Sequence, residues 1–519
     1  MTRESVRTSI ESTPRFDLCV IGGGATGIGI AVDAAARGHS VVLVEQDDFG
    51  KGTSSRSTKL VHGGVRYLQQ GNVALVMEAL RERGILRRNA PHLVHDLGFV
   101  VPNYAWWEGP FYGIGLRIYD LLAGRYGFGP SRHLSREQVL AAIPTLEQNG
   151  LRGGVIYHDG QFDDARLLIA LARTAQTQGA LLLDHARVVR LLGDATGMVD
   201  GVVALDGESG DELAIRARCT INATGAFADG VRRLDDATCR PLVTPSQGIH
   251  VVLDRSFLPG DCAIMVPRTS DRRVLFAIPW HDRTLVGTTD TPVEHASLEP
   301  RAFDHEIDFV LGTAARYLTR DPSRADVLSV FAGIRPLAAA DDGGDTAALS
   351  RDHSIHVSRR GLLTIVGGKW TTYRKMAEDV VDHAQLLAGL PEHACTTREL
   401  RVHGWCENAA TLGDLADWGS DAAAILALER ADPALATRLH DRLPYRRSQV
   451  VFAVREEFAR TVEDVLARRL RALFLDARAA SDIAPAVAAI VATELGREAN
   501  WIEAQVASFR ALAADYLVG

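Results

Sequence analysis

The 519-residue sequence lacks the features that mark membrane-spanning, disulfide-rich and nucleic-acid-binding proteins. No apolar run reaches the ~18 residues needed to cross a bilayer. The six cysteines include no CxxC pair and no zinc-like spacing, which fits a reducing compartment and predicts no metal site. The net charge of −8 gives no general case for nucleic acid as a partner. Residues 1–14 have no apolar signal-peptide core, so we expect a polar leader there and a soluble or peripheral protein.

What the sequence does contain is a strand–turn–helix–strand pattern within residues 16–45. Apolar residues 17–21 predict a buried strand, and Ala-rich residues 28–37 predict a helix. Residues 41–44 predict a second strand, with Glu45 at its tip. This order of elements is typical of the first βαβ unit of a dinucleotide-binding domain.

The turn of that unit has the pattern Gly22-x-Gly24-x-x-Gly27, which predicts a bound dinucleotide. Gly22 permits a tight turn, Gly24 lets the backbone approach a pyrophosphate, and Gly27 permits close helix–strand packing. The free amides of the helix N-terminus then face the phosphates. Glu45 is placed to accept hydrogen bonds from the ribose hydroxyls, and its charge argues against a 2′-phosphate.

The predicted elements divide the chain into three parts: a discontinuous α/β domain, a mostly antiparallel β domain and a C-terminal all-α domain. Strand–helix alternation assigns residues 15–70, 160–240 and 350–394 to the dinucleotide-binding domain, within a region that covers residues 15–394. Strand patterns from about residue 250 onward indicate the antiparallel substrate domain. The substrate or cap segments are then 71–159 and 241–349. Ala-, Leu- and Arg-rich residues 411–519 show helical periodicity and predict a helical domain, which we place at residues 395–519.

The loop after Glu45 contains more charged and polar side chains than a simple linker needs. Residues 47–71 are rich in glycine and hydroxylated residues, which suits a loop that lies against an extended ligand. The same stretch contains the polar residues Arg56, Lys59, His62, Arg66 and Tyr67. We therefore expect it to contribute to a binding site.

Taken together, these residues resemble those of a known family, the FAD-dependent glycerol-3-phosphate dehydrogenases. The resemblance rests on GGGATGIGIAVDAAARG, TSSRSTKLVHGGVRYL, AGIRPL, LSRDHSI and VGGKWTTYRKMAED. The C-terminal VREEFARTVEDVLARRLRALFLDARAA resembles the helical domain that closes those enzymes, so the likeness covers nearly the whole chain. The combination of KLVHGGVRYL, GIRPL and GGKWTTYR is more specific than the glycine pattern alone.

The resemblance implies that the dinucleotide is FAD. Its pyrophosphate would lie on the first helix, and its flavin half would run along the hydroxylated loop. Gly367-Gly368-Lys369 opens a later helix, whose positive end would stabilise the negative charge of a reduced flavin. The residues expected to bind the cofactor are Gly22, Gly23, Gly24, Thr26, Gly27, Glu45, Thr53, Ser54, Ser55, Lys59, His62, Val188, Ala223, Thr224, Gly225, Gly368, Lys369 and Thr371.

In this family the substrate is sn-glycerol 3-phosphate, the product is dihydroxyacetone phosphate, and the electrons go to a membrane quinone. The residues that match family positions around the substrate are Arg66, Tyr67, His250, Arg335, Arg351 and Lys369. Arg335 suits the phosphate because its planar fork donates two parallel hydrogen bonds, and Lys369 adds positive charge at the catalytic centre. His250 is the expected base because histidine titrates near working pH, and His62 is the alternative base.

The electron acceptor and the docking surface stay open. The same motifs fit a glycerol-3-phosphate oxidase that passes electrons to O₂, and an amino-acid oxidase is the next alternative among flavoenzymes. The expected location is the cytoplasm, with peripheral contact to the anionic inner face of the cell membrane, and a homodimer is left open. Two basic clusters are the expected docking surface: Arg438/Arg442/Arg446/Arg447 and Arg468/Arg469/Arg471. Residues 106–122, predicted to be a helix packed in a core, are the alternative surface.

Overall fold

The structure of the protein is a computed structural model that describes residues 2–65, 68, 71–267, 269, 273–338 and 353–518. The predicted substrate residues Arg66, Tyr67 and Arg351 lie outside the described residues. The described chain forms two large sheets, helices that cover them, and a C-terminal helical part.

The first sheet is mostly parallel and takes its strands from three separate parts of the chain. Numbered along the chain, these strands are β1 (Phe16–Ile21), β2 (Val41–Val44), β7 (Leu181–Leu183), β8 (Ala186–Gly193), β9 (Val199–Asp206), β10 (Glu212–Asn222), β17 (Ser354–Val357) and β18 (Leu363–Val366). Their order is β17–β18–β10–β1–β2–β7, and β8 and β9 form an antiparallel extension of β10. Strands β18, β10, β1, β2 and β7 run parallel. The predicted α/β class with a discontinuous Rossmann-like domain is confirmed.

The second sheet belongs to the substrate domain and is mostly antiparallel. Its strands are β3 (Leu60–Val61), β4 (Val94–Asn103), β5 (Arg132–Ser135), β6 (Gly153–Phe162), β11 (Val243–Asp254), β12 (Cys262–Val266), β13 (Leu275–Trp280), β14 (Arg283–Gly287), β15 (Thr291–Pro292) and β16 (Val327–Ala338). Their order is β15–β11–β14–β13–β12–β4–β6–β3, with β16 paired to β11 and β5 to β6. The pair β4–β12 is parallel. Strand β11 lies between β14 and β16 and carries the predicted base, His250.

The helices surround the two sheets and build the C-terminal part. They are α1 (Arg3–Ser12), α2 (Ala25–Ala36), α3 (Val73–Asn89), α4 (Glu108–Ala123), α5 (Arg136–Ala142), α6 (Asp164–Thr177), α7 (Ala228–Asp235), α8 (Asp304–Ala315), α9 (Tyr373–Ala388), α10 (Ala422–Ala431), α11 (Arg447–Glu456), α12 (Ala472–Leu475), α13 (Ala477–Leu495) and α14 (Ala499–Ala514). Helix α2 is almost entirely buried because it packs against both α6 and α9. Its alanines and glycines allow that close approach: a Cβ on Gly29 would lie 2.8 Å from the ring of Tyr373.

The C-terminal part is helical, as predicted, but it also contains a small hairpin. The hairpin joins β19 (Arg438–His440) to β20 (Leu443–Arg446), and a π-helical turn covers Asp464–Arg469. Side chains of this part share one apolar core with the substrate sheet: Phe474 packs edge-to-face on Phe331 of β16, with ring centroids 4.8 Å apart. The C-terminal part is therefore built directly onto the substrate domain.

The polar leader forms an ordered helix. Helix α1 is capped by the Thr2 side chain, and its Val6 and Ile10 are buried. Arg3 ties the helix to the first domain through Asp184 at 2.7 Å and Asp206 at 2.9 Å. Two buried apolar residues one helical turn apart, together with these ion pairs, attach a segment whose sequence is mostly polar.

Helix α4 corrects the expectation that residues 106–122 pack wholly in a core. One side does: Leu116, Tyr119 and Ala123 are buried. The other side is an exposed apolar stripe, Trp107, Phe111, Ile114, Ile118 and Leu121, whose exposures run from 45% to 82%. The spacing of four and three residues places these five side chains on one face. Within the described part of the chain, no helix combines the length and the apolar content needed to cross a bilayer.

The second basic cluster is not on the surface, so its prediction as a docking site was wrong. Arg468, Arg469 and Arg471 are at most 1% exposed. Arg468 and Arg469 both donate to the buried carboxylate of Asp48, with Arg469 Nη2 at 2.8 Å from Oδ1. A charge at this depth is stable only when paired, and the pairing consumes the donors that a lipid headgroup would need.

The first basic cluster is at the surface but is paired with acidic neighbours. Its ion pairs are Arg438–Asp414 at 3.5 Å, Arg442–Asp476 at 2.5 Å and Arg446–Glu429 at 3.1 Å. The apolar residues between its arginines are buried: Leu443, Tyr445, Val450, Val451 and Phe452. The cluster thus offers neither unpaired charge on these three arginines nor apolar side chains to a membrane.

Candidate active site

A cleft runs along the carboxyl ends of the parallel strands. Ligands bind at this edge in open α/β sheets. The expected cofactor residues that line the cleft are Gly22, Gly24, Thr26, Glu45, Thr53, Ser54, Val188, Ala223, Thr224, Gly225, Gly368 and Lys369. Segments more than 300 positions apart in the sequence therefore meet in one site.

The glycine turn at one end of the cleft has no room for side chains. Gly22 has φ +110°, and a Cβ there would lie 2.8 Å from the carbonyl oxygen of Ala223. A Cβ on Gly27 would lie 1.9 Å from the carbonyl oxygen of Gly22, and one on Gly23 would lie 2.6 Å from Phe49. Helix α2 starts directly after Gly24, with no side-chain cap, and Ala25 and Thr26 line the cleft. This end therefore has the form of an anion cradle.

Glu45 stands at the tip of β2 beside the cradle. Its carboxylate accepts hydrogen bonds from the amides of Gly23 at 2.5 Å and Asp47 at 3.0 Å. Burial raises the pKa of Glu45 to about 7, although the two amides oppose that change. A carboxylate in this position can accept hydrogen bonds from a ribose.

The other end of the cleft is closed by Gly367-Gly368-Lys369. Both glycines have positive φ, +79° and +80°, and Lys369 precedes a helical turn that leads into α9. A Cβ on Gly368 would lie 2.3 Å from Met376 Sδ. The indole of Trp370 donates to Ser54 O at 2.8 Å, which ties this end to the hydroxylated loop. A cation and a helix start thus face the cleft where the resemblance implies the flavin.

Glycines at both ends, an acid near one end and a cation at the other fit an extended dinucleotide such as FAD. Gly23, Gly27, Ser55, Lys59, His62 and Thr371 do not line the cleft; the two glycines support the cradle. The backbone amide of His62 donates to Thr371 Oγ1 at 3.3 Å, so these two residues are neighbours.

Lys59 lies behind the loop and not on its cleft side. Its ammonium group is fully buried and donates to Asp164 Oδ2 at 2.7 Å and to Ser55 O at 2.9 Å. Burial lowers the pKa of Lys59 to about 7, although the Asp164 carboxylate opposes that change. Arg471, from the C-terminal part, donates to the same Asp164 and to Ser55 O. Residues 46–59, which we call the cofactor loop, are therefore held from behind by buried charges.

One face of the substrate sheet turns toward the cofactor loop. Because side chains alternate along a strand, Ser246, Gly248 and His250 of β11 share this face. Directly opposite them on β16 are Arg335, Gly333 and Phe331. Glycines provide the space: a Cβ on Gly248 would lie 2.3 Å from Arg335 Nη2, and one on Gly287 would lie 2.2 Å from the His250 ring. The structure thus brings His250 and Arg335 together.

His250 is 2% exposed and is oriented by two contacts. Its ring stacks on Phe331 with centroids 5.0 Å apart, and its Nε2 lies 2.9 Å from Thr58 Oγ1 of the cofactor loop. Among the described residues, Nδ1 has no hydrogen-bond partner. Burial, with smaller contributions from the positive charges of Lys59 and Arg335, holds the pKa of His250 well below its ordinary value. The imidazole is therefore kept in its neutral form, with Nδ1 left to accept a proton, although the lowered pKa makes it a weaker base than an exposed histidine.

Arg335 is fixed at the end of the same face. Its Nη2 donates to Thr289 O at 2.9 Å and Thr288 Oγ1 at 3.1 Å, and its Nη1 lies 3.2 Å from Asp290 Oδ1. Sequence reasoning missed Asp290, as it missed Thr58 and Asp164. The acid in the segment TTD directly after β14 was the one signal available for Asp290, because strand ends often carry functional side chains.

Comparison with known proteins agrees with this geometry. Residues 17–374 match the model of the family described as "FAD dependent oxidoreductase". Residues 363–503 match that described as "C-terminal domain of alpha-glycerophosphate oxidase".

The similar proteins cover most of the chain. A probable mitochondrial glycerol-3-phosphate dehydrogenase of Caenorhabditis elegans is 41% identical over 95% of this chain and 73% of its own length. The mitochondrial glycerol-3-phosphate dehydrogenase of Homo sapiens is 39% identical over 96% of this chain and 73% of its own length. The X-ray structure of the glycerol-3-phosphate dehydrogenase from Bacillus halodurans, complexed with FAD, superposes with a TM-score of 0.80 at 30% identity. It covers 99% of this chain and 97% of that one.

Proposed function

Because the chain belongs to the FAD-dependent glycerol-3-phosphate dehydrogenase family, we propose that it oxidises sn-glycerol 3-phosphate to dihydroxyacetone phosphate and passes the electrons to a membrane quinone. The protein is an FAD-dependent oxidoreductase. The single observation that carries the substrate is the joint occurrence, on one sheet face, of a neutral buried histidine and a fixed arginine beside the cofactor loop. Oxidation of a phosphorylated alcohol needs both, because the hydroxyl proton needs a base and the phosphate needs a cation.

Bound FAD supplies the acceptor for the hydride that leaves C2 of the substrate. The glycine cradle would hold the pyrophosphate, and Glu45 would hold the adenosine ribose. Lys369 and the start of α9 lie at the other end of the cleft, where they favour negative charge. These residues bind and orient, and they leave the proton of the C2 hydroxyl to a base.

His250 is the base that the geometry favours. If Thr58 Oγ1 accepts from Nε2–H, the lone pair of Nδ1 is unshared and buried. That tautomer accepts the hydroxyl proton at Nδ1 as the hydride leaves C2. His62 stays the alternative, since its backbone lies beside Thr371 next to the cleft.

Arg335 holds the phosphate end of the substrate. Thr288, Thr289 and Asp290 fix its guanidinium, so little side-chain entropy is lost when an anion binds. Arg335→Lys keeps the charge but loses the fork. We expect kcat/KM to fall about tenfold to a hundredfold, the value of one charge-assisted hydrogen bond.

The anaerobic spectrum of the flavin tests the cofactor and the substrate together. The purified protein should carry the yellow flavin band, and glycerol 3-phosphate should bleach it without added nicotinamide. Glycine and other amino acids serve as the control, because an amino-acid oxidase would be bleached by them instead. A colourless protein that reduces NAD would contradict the proposal.

The exposed apolar stripe on α4 supports the proposed contact with a membrane and its quinone. A lipid-soluble quinone is reached from the bilayer surface, and five exposed apolar side chains on one helical face can enter that surface. Trp106 and Trp107 stand at one end of the stripe, as aromatic residues do at membrane interfaces. Arg117 and Arg125 are exposed nearby and would favour an anionic leaflet. The free thiols of all six cysteines support the cytoplasmic side of the cell membrane.

Sedimentation with phosphatidylglycerol vesicles tests this surface. Phe111→Ser/Leu121→Ser should weaken vesicle binding by at least about tenfold, because it removes two inserted side chains. Leu386→Ser/Leu387→Ser removes two exposed apolar side chains on a different helix and is the matched control. Arg446→Glu/Arg447→Glu should bind normally, since Arg446 is already paired. If the stripe variant binds as the wild type does, or changes only the oligomeric state, the stripe is not the membrane surface.

The oxidase alternative differs only in the acceptor. Peroxide formed at the rate of substrate oxidation, with no quinone present, would favour it. Fast reduction of a quinone analogue with little peroxide favours the dehydrogenase.

A further inference from the structure

A second guanidinium lies beside Arg335, at a position that the predicted substrate residues do not include. Arg273 Nη1 forms an ion pair with Asp290 Oδ2, and Arg335 Nη1 lies 3.2 Å from Asp290 Oδ1. One carboxylate thus bridges two arginines, with one oxygen for each. The side chains of Arg273 and Arg335 are 19% and 24% exposed, whereas that of Asp290 is 5% exposed. The two cations therefore lie on the open side of the cluster, and the carboxylate lies beneath them.

The carboxylate is fixed from the sheet. The hydroxyl of Ser246 donates to Asp290 Oδ1, and Ser246 is fully buried. Ser246 stands directly opposite Arg335 in the β11–β16 ladder, so the donor and the arginine are set by the same register. The cluster is therefore oriented before any ligand arrives, and an anion that binds to it does not have to order it.

The cluster lies within reach of the predicted base. Arg335 Nη2 lies over Gly248, because a Cβ on that glycine would be 2.3 Å away. Gly248 precedes His250 by two positions on β11, a separation of about 7 Å along a strand. A small phosphorylated alcohol can span that distance with its phosphate at the arginines and its hydroxyl at the histidine.

The charge of the cluster suits a phosphate monoester. Two guanidiniums and one carboxylate leave one net positive charge, whereas a phosphate monoester at neutral pH carries roughly 1.5 to 2 negative charges. With Arg335 alone against Asp290, the pair would be neutral and would attract an anion weakly. Arg273 supplies the charge that makes the site attractive.

We propose that Arg273 is a second phosphate-binding residue of the substrate site and that Asp290 is a positioning residue that aims both guanidiniums. This inference rests on the proposed oxidation of glycerol 3-phosphate. It makes the doubly held phosphate the feature that selects a phosphorylated polyol over a neutral one.

Anaerobic flavin reduction by glycerol 3-phosphate tests the role of Arg273. For Arg273→Gln, the half-saturating concentration should rise about tenfold to a hundredfold, the value of one charge-assisted hydrogen bond, while the limiting rate stays near that of the wild type. Competitive inhibition by inorganic phosphate should weaken in parallel. Arg273→Lys should restore part of the affinity. Arg320→Gln is the control, because Arg320 is an arginine of the same domain that pairs with Asp326 and stacks on Phe257.

Asp290→Asn tests the positioning role. It also provides a second test of the phosphate site if Arg273→Gln purifies without FAD. It keeps the shape but loses the charge that aims the guanidiniums, so half-saturation should rise even though the cluster gains net positive charge, with little change in the limiting rate. Unchanged half-saturation in both variants, with Arg335→Lys impaired, would overturn this inference and leave the proposed function standing. A fall in the limiting rate alone would also overturn it. Normal saturation in all three variants, Arg335→Lys included, would remove the phosphate site and the proposed substrate together.

Discussion

The two faces of the cofactor loop have different roles, although both belong to the same short segment. The cleft face presents small and hydroxylated residues such as Gly52, Thr53 and Ser54; Lys51 also lines the cleft, but its ammonium group is paired with Glu463. The back face carries Asp48 and Lys59, both fully buried in ion pairs. One face is open for a ligand and the other is fixed by charge. The difference indicates that binding and stability are separable here: a change on the cleft side should cost cofactor or rate, and a change behind it should cost folding energy.

The largest expected effect is on cofactor binding, at Gly27, which does not line the cleft but supports the glycine cradle at its end. In Gly27→Ala the new Cβ would meet the carbonyl oxygen of Gly22 at 1.9 Å, so the cradle must move. We expect the variant to fold but to purify without FAD, as the ratio of flavin to protein absorbance will show. Gly230→Ala, where the Cβ meets nothing within 4 Å, should retain full FAD. A yellow Gly27→Ala protein would contradict the cradle.

The next effect concerns His250, which touches the loop through Thr58. His250→Asn should slow anaerobic flavin reduction roughly 10²–10⁴-fold, the usual range for loss of a general base, while FAD stays bound. The acid limb of the pH–rate profile should disappear with it. His62→Asn is the matched variant. If it shows the loss and His250→Asn does not, the two histidines exchange roles.

Behind the loop, Arg469→Gln should lower stability and leave the chemistry of the folded enzyme nearly unchanged. Arg469 and Asp48 are both fully buried, and loss of one partner of such a pair costs about 3–5 kcal/mol. Urea denaturation measures the loss of unfolding free energy. Arg190→Gln breaks an exposed pair with Glu212 and should cost about 0–1 kcal/mol. Equal losses in the two variants would mean that the back face is not what fixes the loop.

The smallest expected effect is a pH dependence at the same interface. Burial alone would lower the pKa of His185, but the nearby carboxylates, Asp464 first, raise it to about 10. Because the folded pKa lies above that of an unfolded histidine, this stabilisation is complete below about pH 6.5 and is lost as the pH rises toward 10. The slope is at most about 1.4 kcal/mol per pH unit, or about 2 kcal/mol between pH 7 and 8.5. Thermal unfolding of the wild type and of His185→Gln at several pH values measures this slope. If the stability of the two proteins changes with pH in the same way, the His185–Asp464 pair is not the cause.

The sequence was sufficient to predict those parts of the fold and the site that depend on residues close together in the chain. Gly22, Gly27 and Glu45 could be identified because a turn, a helix start and a strand tip lie within thirty positions of each other. The antiparallel substrate domain could be predicted for the same reason, from alternation along single strands.

The parts that could not be predicted depend on partners that are distant in the chain. Thr58 meets His250 across 192 positions, and Arg471 meets Asp164 across 307. The spacing of basic residues in the sequence does not distinguish arginines that face solvent from arginines that neutralise a buried acid. Similarly, the apolar spacing in α4 indicates an amphipathic helix, but not that its second face is left uncovered.

The pairing of Asp48 with Arg468 and Arg469 also has a consequence for the order of events during synthesis. These contacts join residues 420 and 421 positions apart. At about 5–20 residues per second, the ribosome needs roughly 20–80 seconds after making Asp48 before it makes the two arginines. Throughout that time the acid has no counter-charge from this cluster and stays in water. We therefore expect the nascent first domain to hold FAD loosely, and capture of the cofactor to be one of the last steps in maturation.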